Sequence, residues 1–143
     1  MIIDAQALFS DAQALGAATS VSTNVIDLGS DRNAGVGEPM AVVVVIDVAL
    51  EDGDGDETYV VTVQSGSTAT PTDVIATATM TRGDVAGTKY VLPLPADGRT
   101  DRYLRVNYTL GGTLTAGGTV TTFLQPMSMI QNDNVYPDGI TIS

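Results

Sequence analysis

Residues 40–50, "MAVVVVIDVAL", constrain the fold more than any other stretch of the chain. In extended backbone, successive side chains point to opposite faces. Val42, Val44, Ile46, Val48 and Leu50 then form one wholly apolar face, and Val43 and Val45 make the other face apolar too. β-branched side chains lose rotamer freedom in a helix and pack well on a pleated surface. The run therefore reads either as a central strand covered on both sides or as a strand at a subunit interface.

The same grammar recurs along the chain. Runs rich in valine, threonine, isoleucine and tyrosine alternate with clusters of glycine, aspartate and proline. Strands are predicted near 22–28, 40–50, 58–65, 73–80, 88–94, 102–110 and 119–125, with an eighth near the amino terminus or at 139–142. In 58–64, Tyr59, Val61 and Val63 share one face while Thr58, Thr62 and Gln64 share the other. In 102–110, Leu104, Val106, Tyr108 and Leu110 oppose Tyr103, Arg105, Asn107 and Thr109. Such alternation marks antiparallel strands with one face buried. Many short strands joined by Gly-rich loops predict an all-β fold: an antiparallel β-sandwich of jelly-roll type with extended terminal arms. At 143 residues the chain suits one domain, able to bury roughly 70% of its unfolded surface. Residues 1–125 are read as a single jelly-roll domain including the N-terminal arm, and 126–143 as an extended tail.

The two ends are less regular. "DAQAL" occurs at 4–8 and again at 11–15, so Met1, Ala5, Leu8, Ala12 and Leu15 would line one helical stripe. Two heptads are too few for a coiled coil, and the same letters suit an extended arm or a short strand. From 126 onward Pro126 and Pro137 interrupt the pattern, yet Met127, Met129, Ile130, Val135, Tyr136, Ile140 and Ile142 are too apolar for a purely solvating tail. Both ends are expected to dock on a partner.

Composition removes whole classes of function. Histidine and cysteine are absent, which excludes disulfides, thiolate ligands, cysteine nucleophiles and a Ser-His-Asp triad. The formal net charge is −11, with six basic residues against seventeen acidic ones. Such a chain repels nucleic acid and anionic membrane surfaces. The start "MIIDAQALFSD" has no basic n-region and is not expected to be a signal peptide. No apolar stretch approaches the ~18 residues that a spanning helix needs. The expected partner is another protein.

Four motifs could carry chemistry. "LEDGDGDET" at 50–58 carries Glu51, Asp52, Asp54, Asp56 and Glu57. Counted from Asp52 as an EF-hand loop, the glycine of position 6 is replaced by Glu57 and the glutamate of position 12 by Val63. The run is read instead as a solvent-exposed hairpin tip whose charge is dispensable for folding. Paired catalytic carboxylates are disfavoured, since no tryptophan and only seven Phe and Tyr residues leave little surface for stacking a sugar. "RGD" at 82–84 and the sequon "NYT" at 107–109 are short enough to arise by chance. No catalytic residue, cofactor or metal ligand is assigned. The remaining feature is basic: Arg99, Arg102 and Arg105 lie in "GRTDRYLRVNY". They either pair with nearby acids such as Asp97 and Asp101 or serve a protein interface, where the guanidinium fork is enriched. With Met127, Met129, Ile130 and Tyr136 they form the candidate interface set.

Several segments taken together resemble one family. "FSDAQAL" (9–15), "STNVIDLG" (22–29), "YVLPLP" (90–95), "RYLRVNYTL" (102–110) and "TAGGTVTTFL" (115–124) are similar, in order and spacing, to the jelly-roll capsid cement, or decoration, proteins of tailed bacteriophages. The resemblance stops near Leu124. It implies a non-enzymatic structural protein, made in the host cytoplasm, on the outer surface of the virion head. It implies a homo-oligomer, dimer or trimer, that bridges copies of the major capsid protein. A calcium-dependent carbohydrate-binding or adhesion sandwich is the alternative, separable by a calcium-induced rise in melting temperature or by glycan binding.

Overall fold

The structure is a computed structural model that describes residues 5–16, 19–30, 37–95, 100–115 and 117–130. A 3-10 turn (Ala5–Ala7) precedes nine strands: β1 Leu8–Ala14, β2 Ser20–Val21, β3 Ile26–Asp27, β4 Met40–Val48, β5 Thr58–Gly66, β6 Asp73–Met80, β7 Lys89–Pro93, β8 Tyr103–Gly111 and β9 Thr119–Pro126. A single helical turn, α1 Met127–Ile130, follows. One sheet has the order β1-β9-β4-β7, and the other β2-β8-β5-β6 with β3 also on β8. Every pairing is antiparallel.

Counted as two halves of one interrupted strand, β2 and β3 complete an eight-strand pattern. The first strand pairs with the last (β1 with β9), the second with the seventh (β2 and β3 with β8), the third with the sixth (β4 with β7), and the fourth with the fifth (β5 with β6). This is a long antiparallel hairpin rolled into two packed sheets, the jelly-roll arrangement that the strand pattern predicts.

Alternation fills the space between the sheets. Tyr59, Val61 and Val63 from β5 and Leu104, Val106 and Tyr108 from β8 are fully buried and face Val42, Val44 and Ile46 of β4. Each such side chain contributes roughly 1.5–3 kcal/mol by leaving water. β4 lies between β9 and β7, so it is the central strand of the two readings its sequence allowed. Its other face is buried as well at Ala41 and Val43, and Val45 is half-buried. Within the core, the Tyr108 hydroxyl sits between Ser10 Oγ (2.8 Å) and Thr122 Oγ1 (2.7 Å). It links β8 of one sheet to β1 and β9 of the other, satisfying three hydroxyls that burial would otherwise penalise.

Three expectations change. Of the readings open for the amino terminus, residues 8–14 are a strand, and Phe9 and Leu15 are core residues with at most 1% of their surface exposed. This replaces the docked-arm expectation for that stretch. Pairing to β9 satisfies the backbone and buries Phe9, which two isolated helical turns could not do. The predicted strand 22–28 is broken. Ser22 Oγ accepts from Val106 N–H (3.0 Å) and donates to the Asn24 carbonyl (2.8 Å), while Asn24 N–H crosses to the Phe9 carbonyl (2.9 Å). A serine side chain thus patches the ladder where the chain spans from one sheet edge to the other. Finally, β4 and β5 belong to different sheets, so 51–57 is an inter-sheet crossover rather than a hairpin.

Candidate interaction surface

The topology gives the sandwich two ends. Residues 15, 16 and 19, loops 49–57 and 81–88, and residues 112–115, 117 and 118 gather at one. At the other lie the starts of β1, β4, β6 and β8 and the end of β9. Of the candidate interface residues, Arg102, Met127, Met129 and Ile130 fall at this second, terminal end. Met40 pairs with Pro126, Gly66 with Tyr103, and Leu28 N–H donates to the Arg102 carbonyl. Arg102 and α1 therefore stand at the same end, on different sheets.

Arg102 precedes β8 and grips Asp27 of β3 with two bonds, Nε to Oδ1 at 2.7 Å and Nη2 to Oδ2 at 2.9 Å. Its guanidinium carbon also lies 4.9 Å from the centre of the Tyr103 ring. Strand pairing supplies this partner: it sets Asp27 opposite Tyr103, one residue from Arg102. Asp97, one of the acids expected beside these arginines, lies outside the described residues. Asp27 is further held by the Gly29 N–H at 2.8 Å, a local turn that "DLG" encodes. The Arg102 fork first, and this amide second, lower the Asp27 carboxyl to about 2. Both side chains stay roughly half-exposed, so the fork remains at the surface. Arg105 lies on the outer face of β8, where its Nε donates to Gln64 Oε1 at 2.7 Å. Arg99 and Tyr136 lie outside the described residues.

The helical turn α1 is fastened by Met127 N–H to the Pro39 carbonyl (2.8 Å) and by Ser128 Oγ to Glu38 (3.2 Å). Met127 is half-buried, and Met129 leaves 48% of its surface exposed at the terminal end. Ile130 closes the turn.

At the opposite end the acidic run is structural. Glu57 is only 2% exposed, covered by its own loop rather than by the deep core. It accepts from Asp54 N–H (2.9 Å) and Gly55 N–H (3.0 Å), and these amides, Asp54 foremost, lower its pKa. Asp56 accepts from the Thr113 N–H and hydroxyl, both at 3.0 Å, and its pKa is lowered by them in that order. Glu51 accepts from Thr115 N–H at 2.8 Å. Asp52 pairs with Arg82 at 2.8 Å. The loop packs so closely on 112–115 that a Cβ on Gly112, at φ +86°, would sit 2.4 Å from the Asp56 carbonyl oxygen. Residues 52–56 stay exposed, as expected of a tip, but the run's carboxylates are engaged within the chain. The glycines free amides for the carboxylates to hold, and the carboxylates diverge to separate donors. Among the described residues no three acidic side chains converge as a metal site. Sequence reading missed Glu57, whose partners lie within its own loop, and Asp27, whose partner lies 75 residues away beside another strand. The alternation of acid and glycine was the signal for the former.

The short motifs are absorbed by the fold too. In "RGD", Arg82 holds Asp52, Gly83 adopts φ +77°, and Asp84 accepts from the Tyr90 hydroxyl. In "NYT", Asn107 is paired within β8 and bonds Thr109.

No curated protein matches the chain. A family model described as Bbp16 matches residues 9–124, from the core residue Phe9 of β1 to Leu124 of β9, and so spans the whole sandwich. That match covers well over half of the chain: the protein belongs to the Bbp16 family, a bacteriophage-associated family.

Proposed function

We propose that this protein is a capsid cement protein of a tailed bacteriophage. It binds the outer surface of the head as a homo-oligomer, bridges neighbouring major capsid protein subunits and catalyses no reaction. The observation that carries this reading is the match of the entire sandwich, residues 9–124, to a phage-associated family. Two further features support it. The net charge of −11 disfavours contact with packaged DNA and favours the outside of the shell. The candidate contact residues Arg102, Met127 and Met129 gather at the terminal end, away from the loop closed by Glu51, Asp56 and Glu57.

The mechanism is mechanical. Packaged DNA presses outward, and the seams between capsid subunits resist. A rigid sandwich that touches two subunits adds buried area across a seam, and each contact must break before the subunits part. Linked contacts are far stronger together than singly. The buried Tyr108 bridge and the carboxylate-closed loop keep the sandwich from yielding first.

The test is to mix purified protein with undecorated heads, pellet them, and heat the decorated and bare heads. Saturable co-sedimentation and a higher temperature of DNA release are expected. Protein left in the supernatant at all ratios would overturn the reading.

A further inference from the structure

Sheet edges are where a β-protein meets other chains, because an edge strand carries backbone N–H and C=O groups that no neighbouring strand takes up. Among the described residues the two sheets end in β1, β7, the β2–β3 pair and β6. Three of these are blunted. β1 breaks register twice, turns through Ala12 at φ 47°, and is overlaid by residues 21–24, with Gln13 Nε2 bonded to the Val21 carbonyl at 2.8 Å. β7 has five residues and carries Lys89 and Pro93. β2 and β3 have two residues each.

β6 is different. It has eight residues, "DVIATATM", with no lysine, arginine or proline, and it pairs only with β5 among the described residues. After one register shift near its start, it runs regularly from Ala76 to Met80. Residues 74–80 carry no charge in a chain of net charge −11. Thr77 and Thr79 are exposed, and Val74 leaves 50% of its surface exposed.

We infer that β6 is a self-association edge: β6 of a second copy pairs antiparallel to it, joining one sheet of each sandwich into a continuous sheet. The occupant follows from charge. Asp73 opens the strand, and Arg82 stands two residues past its end, with its Nε on Asp52. An antiparallel copy brings the Asp73 of each chain to the end where the other has the Arg82–Asp52 ion pair rather than an unpaired acid. The uncharged middle lets two strongly acidic chains approach, and threonine pairs across strands are favourable. A two-fold axis makes the contact isologous and closed. Lys89 and Pro93 on β7 keep the second sheet from extending in the same way. The inference rests on the self-association within the proposed function and names its surface.

The chain has no cysteine, so single cysteine variants report contacts cleanly. A two-fold antiparallel pair places one central residue opposite itself, within disulfide range. Thr77→Cys and Ala78→Cys test the two central registers, and Val85→Cys, 67% exposed on a loop, is the control. Under mild oxidation, Thr77→Cys or Ala78→Cys should form a covalent dimer far faster than Val85→Cys. In sedimentation, Thr77→Lys/Thr79→Lys should raise the dissociation constant by about tenfold or more, because like charges then oppose each other across the pair. If the wild-type chain self-associates while neither cysteine cross-links above the control, or while the lysine variant associates normally, the β6 assignment is wrong and the capsid reading stands. If the wild-type chain is a monomer at all concentrations, self-association itself fails.

Discussion

The two ends of the sandwich are closed by different chemistry. At the loop end, carboxylates do the closing: Glu57 holds the amides of Asp54 and Gly55, Asp56 holds Thr113, and Glu51 holds Thr115. At the terminal end, among the described residues, backbone bonds contribute Met127 N–H to Pro39, Leu94 N–H to Met40 and Leu28 N–H to Arg102, beside the half-exposed ion pair of Arg102 with Asp27. The difference teaches that a run of acids is not in itself a solvated ornament. Where glycines interleave with acids, the free amides become donors, and the charge is spent inside the chain. The terminal end keeps its polar fork and Met129 at the surface, which is what an end that meets another protein needs.

The largest expected effect tests whether the terminal end is anchored in the core. Phe9→Ala empties a fully buried site on β1 and should cost about 3–5 kcal/mol in denaturant unfolding. A cost near zero would mean that β1 detaches as an arm. Next is the link midway between the ends. Tyr108→Phe removes the hydroxyl shared by Ser10 and Thr122 and should cost about 1 kcal/mol, equally at pH 7 and pH 4.

Glu57→Gln sharpens the contrast through pH. The folded carboxyl lies below its ordinary 4.5, so its contribution is fully present above that pH and is lost as pH falls through the lowered folded value. The variant, whose amide presents an N–H₂ to a backbone donor, should melt below wild type at pH 7. The gap should narrow once the pH drops below the ordinary carboxylate range, and a gap constant with pH would contradict the loop account. Asp27→Asn should have a smaller effect at the terminal end, because the pair is exposed and salt screens it. Its pH-dependent part lies between about 3.8 and about 2, and added salt should shrink it. Asp54→Asn should change thermal unfolding least of all, since Asp54 takes part through its backbone N–H rather than its carboxylate.

Much of this was legible in the sequence, for definite reasons. Period-two burial in β5 and β8 exposes the core directly: Tyr59, Val61, Val63, Leu104, Val106 and Tyr108 are all inward. The two-sided apolar run of β4 allowed a central strand or an interface strand, and the sheet order makes it central. What was hidden depends on partners distant in sequence. Asp27 meets Arg102 across 75 residues, and Asp56 meets Thr113 across 57. No local pattern announces such bonds. The repeated "DAQAL" left helix, extended arm and strand open, and the β9 edge recruits residues 8–14 as a strand, with the irregular turn at Ala12 absorbed by register breaks. Which sheet each strand joins is likewise set by the rolled topology, and so a loop between two strong strands looked like a hairpin and was not.

The central claim is that this sandwich cements a phage shell, and imaging of heads assembled with and without the protein tests it most directly. The account predicts density outside the shell, in contact with two neighbouring capsid subunits, with the terminal end carrying Arg102 and α1 turned toward them. Heads that show no added density at saturating protein, or density confined to a single subunit, would contradict it.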